Sequence, residues 1–409
     1  MERAADPEKL KDRRTLLATT VISGHGLKHL YSAAFSIVLP EIKDSLLLSN
    51  LATAALVTSR EISSGVVTMP AGFLADRFSN RWSQILTVSL ALIALGYLLS
   101  GALERYWAII LAVILTGVGT AMWHPAAIAA LSHRFPHKRG FTLSLHGAGG
   151  SAGEVLGPLI AGGLLLVMAW NHLLIWSFFP AALTAVVVWA VLRGMRGQKG
   201  VSSVRDYFSA AGGLFRNRVL MAVVLLSSVR SMSHQIIVIF VPIYLREELG
   251  YSTIIVGVYV SLLQVMGIAT HPLMGFISDR YGRKAALVPG MIAFGLLCIA
   301  LAFAAPGVQL TLTIIAIGAF IFTFHHIFIA AAIDISPPEL HGTSVALVYT
   351  GSMVIGGLGA VTAGVLADAV SVEATFVYAG ILVIIAALGL AVVKVPRVRL
   401  AAVAGAPGG

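Results

Sequence analysis

His25, Lys28 and His29 stand at i, i+3 and i+4 inside one long apolar run, so a helix there carries all three on a single face. Arg230 and His234, four apart with Gln235 beside them, repeat that arrangement in a later run. Other apolar runs hold Arg60-Glu61, His124, His146, Glu154, Gln264, His271 and the pair His325-His326. A charge at the centre of a membrane helix costs about 2.5–3.5 kcal/mol on insertion scales, so such residues point to function by default. Lys28, Arg60 and Arg230 make this layer basic, which favours an anion. Arginine matches an oxyanion bidentately and lysine acts as a point charge, so Lys28 and Arg230 form a candidate clamp for a carboxylate, phosphonate or phosphate. Histidines could add charge near neutral pH. Glu154 is the first candidate for a proton carrier, and Glu61 the second, because adjacent Arg60 competes for its charge. The plainer readings pair Arg60 with Glu61, hold Lys28 structurally and pack each histidine. A metal set is not expected, since neighbouring helical residues such as His325 and His326 point about 100° apart with no Cys or carboxylate alongside.

The elements that must position these groups follow from composition. The chain has 409 residues, 58% hydrophobic and 11% charged, too little charge to cover soluble domains. The single cysteine, Cys298, leaves no disulfide. Twelve apolar runs, each near the length needed to span a bilayer, occupy about 15–39, 50–75, 82–102, 107–132, 140–167, 172–193, 219–242, 253–277, 285–305, 308–335, 342–367 and 374–394. Helices are expected, because hydrocarbon leaves no partner for unpaired backbone amides. The first run lacks the cleavage pattern of a removable signal and is kept. Twenty-two Lys and Arg fall in the loops and tails of one side and three (Lys43, Arg105, Arg246) in those of the other, which predicts both termini in the cytoplasm.

A polar stretch at 194–218 divides the chain into bundles at 15–193 and 219–395, with tails at 1–14 and 396–409. The halves repeat at an offset of 202–203: Gly72, Asp76 and Arg77 recur as Gly275, Asp279 and Arg280, His124 as His326, and Lys28 as Arg230. Such duplication is a mark of secondary transporters, whose sites lie near the midplane between repeats. The third, sixth, ninth and twelfth runs carry no interior charge and are expected to face lipid.

The loop Gly72-Phe-Leu-Ala-Asp76-Arg77-Phe-Ser79-Asn80-Arg81 and the loop Gly275-Phe-Ile-Ser-Asp279-Arg280-Tyr-Gly282-Arg283-Lys284 resemble the G-x-x-x-D-R-x-G-R-K loop of the major facilitator superfamily. The second copy is complete, whereas the first has Ser79 and Asn80 for Gly and Arg. The resemblance implies an all-α membrane fold of two six-helix bundles, with these loops gating one access state. The series Gly149, Gly150, Gly153, Gly157-Pro158 and Gly162-Gly163 is similar to the G-x-x-x-G-P-x-x-G-G element of proton-coupled drug antiporters. Gly117-Val-Gly119-Thr120-Ala-Met-Trp123-His124-Pro125, followed by His146, is similar to fosmidomycin-resistance-type exporters, with Ala126 where those carry a carboxylate. The implied function is proton-coupled transport of a small anionic or amphipathic compound through the inner membrane. Export by antiport is favoured over uptake by symport, and a receptor or channel is the alternative from another class. No phosphate-binding G-x-x-x-x-G-K-[ST] loop, Ser-His-Asp set or H-E-x-x-H motif occurs in the sequence. A monomer in lipid, with no cofactor and no nucleic-acid partner, completes the expectation.

Overall fold

The computed structural model describes residues 7–194, 212–337 and 340–394, and of residues 7–13 and 76 the backbone alone. Most of the linker expected at 194–218 and the tail expected at 396–409 therefore lie outside the described residues. All regular structure within them is helical: α1 (Pro7–Ser45), α2 (Asn50–Arg77), α3 (Trp82–Ala102), α4 (Tyr106–Arg134), α5 (Arg139–Leu164), α6 (Trp170–Leu192), α7 (Arg218–Ile243), α8 (Thr253–Tyr281), α9 (Arg283–Leu301), α10 (Val308–Ile321), α11 (Phe324–Ile335), α12 (His341–Ala369) and α13 (Val372–Val392). Helix starts have local causes. Ser49, Asn217 and Ser371 accept hydrogen bonds from first-turn amides of α2, α7 and α13.

Nine helical segments among the described residues are long and apolar enough to cross a membrane, α10 and α11 counting as one. Helices α1, α2 and α5 have 39, 28 and 26 residues and run beside them, but fall outside that set. These three carry Lys28, Arg60-Glu61 and Glu154, so the polar groups that lower their apolar character are the candidate site itself.

Three boundaries differ from the sequence reading. Helix α1 begins at Pro7, so part of the tail expected at 1–14 is helical. Proline suits the first helical turn, and the apolar run marks what hydrocarbon would cover, not how far the helix extends. Helix α7 takes in Arg218, the last residue assigned to the linker. The run at 308–335 is two helices, because Thr323 N–H bonds Phe320 O, a tightened i→i−3 contact that interrupts the ladder.

The two halves pack alike. In the first, α1 lies along α5, α2 along α4, and α3 between α4 and α6. In the second, α7 lies along α12 and α13, α8 along α10, and α9 along α13. Helix α6 exposes Trp176, Phe179, Leu183, Val186 and Trp189, as a lipid-facing helix should. The α1–α5 seam is made by small residues: a Cβ on Gly26 would stand 2.9 Å from Gly149 O, and one on Gly153 2.8 Å from Leu30 N.

The halves meet through α2–α12 and α5–α8, and only over part of their length. On the face bearing residues 41–50, 162–169, 244–253 and 369–371, contact is close. Thr253 Oγ1 donates to Gly162 O at 2.9 Å, and Ser261 Oγ to Val155 O at 2.8 Å. Thr58 Oγ1 and Thr350 Oγ1 cross between α2 and α12 to Gly357 O and Gly65 O at 2.9 and 3.0 Å. Toward the opposite face, a Cβ on Gly140, Gly147, Gly275 or Gly342 would meet nothing within 4 Å. Phe141 and Phe276 are exposed there. The bundles are joined at one face and apart at the other.

Overpacking a tight seam costs about 1–3 kcal/mol. Gly153→Val should therefore lower the thermal unfolding midpoint of the purified protein, whereas Gly147→Ala, in open space, should leave it unchanged. Equal midpoints for both would show that the α1–α5 seam does not depend on its glycines.

Candidate functional site

Helices α1, α4 and α5 bring one lysine, four histidines and one carboxylate together. The seam between α1 and α5 aligns the face bearing His25, Lys28 and His29 with His146 and Glu154. Trp123, fully buried, lies against Gly24 of α1, where a Cβ would stand 2.5 Å from its Cη2. That contact sets the height at which the next residue, His124, meets Lys28. Lys28 Nζ is 2.8 Å from His124 Nε2. An ammonium has only donors, so the ring nitrogen accepts. His29 Nδ1 donates to Glu154 Oε1 at 2.8 Å. The His25 and His146 rings stack with centroids 3.7 Å apart, and His25 also lies 4.5 Å from His29 and 4.9 Å from His124.

Exposure grades through the cluster. The Glu154 and His29 side chains are 31% and 21% exposed, while Lys28, His25 and His146 are 3–4% exposed. No carboxylate lies within ion-pair distance of Lys28 among the described residues. Nδ1 of His25 and both ring nitrogens of His146 are buried without a hydrogen-bond partner. Buried polar atoms normally have one; Arg230 Nε, His271 Nε2 and His325 Nε2 in the second half are in the same condition.

His25, His124 and His146 place ligating atoms within 4.8 Å of one another, a spacing to test against a metal ion. Two features oppose the fit. An imidazole binds a metal in its ring plane, and the near-parallel planes of His25 and His146, 17° apart, do not converge on a common point nearby. The third ring is engaged by the Lys28 ammonium.

The second half forms its own cluster. Arg230, 2% exposed, donates from Nη1 to Ile321 O at 3.3 Å and from Nη2 to Ser231 Oγ at 3.2 Å. His234 Nδ1 donates to the same carbonyl at 3.3 Å. Ile321 is the last residue of α10, so the interruption of the tenth run is what frees this acceptor. His271 and His326 lie 5.3 Å apart, and His325 packs 4.5 Å from Tyr349. Gln235 is half-buried beside His234, and Gln264 lines a small cavity with Ser32 and Ser36. Lys28 and Arg230 each have partners within their own half. Arg60 turns to Glu61 Oε1, at 3.0 Å from Nη2, and lies over the Phe35 ring.

The two motif loops diverge in structure. Gly282 adopts φ 99°, a conformation that favours glycine, and the chain then enters α9. Arg283 donates from Nε to Asp334 Oδ2 at 2.8 Å and also pairs with Asp279, while Lys284 Nζ donates to Ala391 O at 2.6 Å. The first copy turns through a short 3₁₀ segment, Ser79–Arg81, with no positive φ, so Ser79 replaces glycine without strain. There Arg77 and Arg81 lie over the Phe78 ring, and Trp82 Nε1 donates to Ala75 O. Gly72 and Gly275 sit one turn before each loop, and Arg280 is exposed.

Several structurally prominent residues escaped the sequence reading. Glu41, Lys43, Arg246, Glu247 and Asp368 join the halves, and two of them had served only in counting loop charges. Opposite charges following the first helix of each half were the available signal. Asp334, 14% exposed, should matter more to stability than Asp279, 63% exposed. Asp334→Asn should lower the thermal midpoint clearly and Asp279→Asn little; the reverse order would mean that Arg283 relies on the outer carboxylate.

Comparison with known proteins agrees with this architecture. The family model described as Major Facilitator Superfamily matches residues 21–328 and 230–408. The fosmidomycin resistance protein of Escherichia coli (strain K12) is 22% identical over 376 residues, covering 91% of each chain. The probable L-galactonate transporter of the same organism is 22% identical over 290 residues, covering 65% of this chain and 63% of its own. Among solved structures, a point mutant of the nucleoside transporter NupG superposes with a TM-score of 0.79 at 16% identity, covering 92% of this chain and all of that one. The xylose transporter XylE from E. coli, in an inward open conformation, gives 0.74 at 16% identity, covering 94% and 98%. Two pseudo-symmetric helical bundles, a repeated acidic–basic loop and a family match spanning nearly the whole chain place this protein in the major facilitator superfamily, as a membrane transporter and not an enzyme.

Proposed function

We propose that this chain is a proton-coupled secondary transporter of the bacterial inner membrane, which exports a small anionic or amphipathic organic compound by alternating access. The observation that carries the reading is Lys28: a buried cation on α1, held by a neutral ring nitrogen and not by a carboxylate, beside unpartnered imidazole nitrogens. A buried cation with no carboxylate in direct contact is costly, and an anionic substrate would supply that contact. The second-half cluster of Arg230, His234, Gln235, Gln264, His325 and His326 completes the walls of the path.

Glu154 is the proton carrier in this reading. It is the more exposed member of its pair with His29, and protonation would weaken the carboxylate's hold on that ring. His29 would then be free to turn toward the substrate. Glu61, tied to Arg60, serves as the secondary candidate. The excess of Lys and Arg in one set of loops favours both termini in the cytoplasm; in that orientation the parted face opens inward and the joined face lies outside. Gly72, Asp76, Arg77, Arg81, Gly275, Asp279, Arg280, Gly282, Arg283 and Lys284 act at the inward gate. The glycines and Pro158 of α5 provide its bending seam. The protein works as a monomer in the lipid bilayer.

The names of the resistance-protein relatives favour export. The relative named for L-galactonate, a sugar-acid anion, favours the second reading, uptake of an organic anion by symport. Flux in proteoliposomes with an imposed pH gradient, against a panel of small organic anions, separates the two by direction. A charge-assisted contact contributes about 1.5–3 kcal/mol, so Lys28→Ala should weaken anion binding about 10- to 100-fold. Unchanged binding would remove Lys28 from the site. Glu154→Gln should abolish gradient-driven accumulation while leaving binding measurable; full gradient-driven flux in that variant would end the proton-carrier assignment.

A further inference from the structure

We propose that the joined face is held by an electrostatic latch of three cross-half contacts, and that breaking it is the step that parts the bundles there. The latch uses residues outside the substrate and proton assignments and stands independently of them.

Two contacts form a reciprocal pair. Helix α1 ends with Glu41 and Lys43, and α7 runs into a π-helical turn, Tyr244–Glu248, that carries Arg246 and Glu247. Arg246 Nε donates to Glu41 Oε1 at 2.7 Å, and Lys43 pairs with Glu247. Each half therefore gives one acid and one base. Arg246 also donates from Nη1 to Tyr251 O at 3.2 Å, which orients its guanidinium. The wide π turn delivers both side chains at the helix end, and such turns often mark functional positions.

The third contact joins a carboxylate to a helix terminus. Asp368, near the end of α12, accepts from Asn50 N–H at 2.8 Å through one oxygen and from Leu51 N–H at 3.0 Å through the other. These are the first amides of α2, which have no partner within their own helix, and the positive end of the helix dipole adds to the attraction. Ser49 already caps Ala52 N–H from within the first half. Asp368 thus completes, from the second half, a cap that the first half only begins. The fit is close: a Cβ on nearby Gly364 would stand 2.7 Å from Leu51 Cα.

All the ion pairs between halves among the described residues lie on this face; the others, His29–Glu154, Arg60–Glu61 and those of Arg283, stay within one half. Contacts within a half survive rigid-body rocking, whereas cross-half contacts exist in one state alone and so bias the equilibrium. An exposed ion pair changes an equilibrium by about 1.5- to 5-fold, so three together hold the face closed without locking it.

The test needs neither substrate nor pH gradient. Cys298, the single cysteine, is fully buried, so spin labels attached through Val167→Cys and Val370→Cys report the separation of the halves at this face. Both positions are exposed. Electron–electron distance measurement on the labelled protein in lipid nanodiscs should show a dominant short separation. Lys43→Glu or Glu247→Lys alone should raise the long-distance population about fivefold, and Asp368→Asn about threefold. The double exchange Lys43→Glu/Glu247→Lys should return it to within about twofold of the parent. Should a charge reversal fail to fold, Asp368→Asn and Glu41→Gln, which remove charge without reversing it, carry the same test. Distance distributions unchanged by the single substitutions, or a folded double exchange that stays as open as the singles, would overturn the latch.

Discussion

A charge carried into the interior of a membrane must be compensated by something near at hand, and in this protein the Lys28 ammonium is met by the Nε2 atom of His124. That contact depends on three levels of construction. The glycine seam lets α1 and α5 approach closely enough to enclose Lys28. Trp123 against Gly24 sets α4 at the height where His124 reaches it. The stacked His25 and His146 rings fill the remaining space with groups that can donate or accept. Because the compensating group is a ring nitrogen and not a carboxylate, the charge is satisfied in direction but not in sign.

The two halves use one plan for different work. The first half gathers its polar groups around α1, with a graded path from half-exposed Glu154 to fully enclosed Lys28. The second half spends its buried arginine on the Ile321 carbonyl at the interruption between α10 and α11. Duplication supplied equivalent positions, and divergence assigned one cation to the cluster and the other to a break in a helix. The motif loops show the same drift. The second keeps the glycine its backbone turn favours and knits Asp279, Arg283, Asp334 and Lys284 into the ends of α8, α9, α11 and α13. The first takes a 3₁₀ turn with negative φ throughout, so serine serves.

Much of this architecture was legible in the sequence. The apolar runs and the repeated loops follow from hydropathy and spacing, which act locally and need no knowledge of neighbours. The grouping of His25, Lys28 and His29 was legible for the same reason, since helical periodicity alone puts them on one face. Helix ends were less so: α1 starts earlier than its apolar run, and the run at 308–335 is two helices. Hydropathy reports what hydrocarbon would cover, whereas helix limits follow hydrogen bonds and caps. Opposite charges at the end of the first helix of each half hinted at the contacts of Glu41 and Lys43, whereas that of Asp368 had no local signature.

Residue order was enough to establish a basic, histidine-rich layer inside a duplicated helical membrane protein, because burial cost and periodicity are properties of each segment taken singly. Which groups pair was decided by the packing. Spacing alone did not say what Lys28 meets; close approach of α1 to α4 and α5 brought it His124. Glu154 had no partner assigned from spacing, and the glycine seam delivered it to His29. Pair identity depends on angles and separations between helices far apart in the chain, and those emerge only when all the helices compete for the same space.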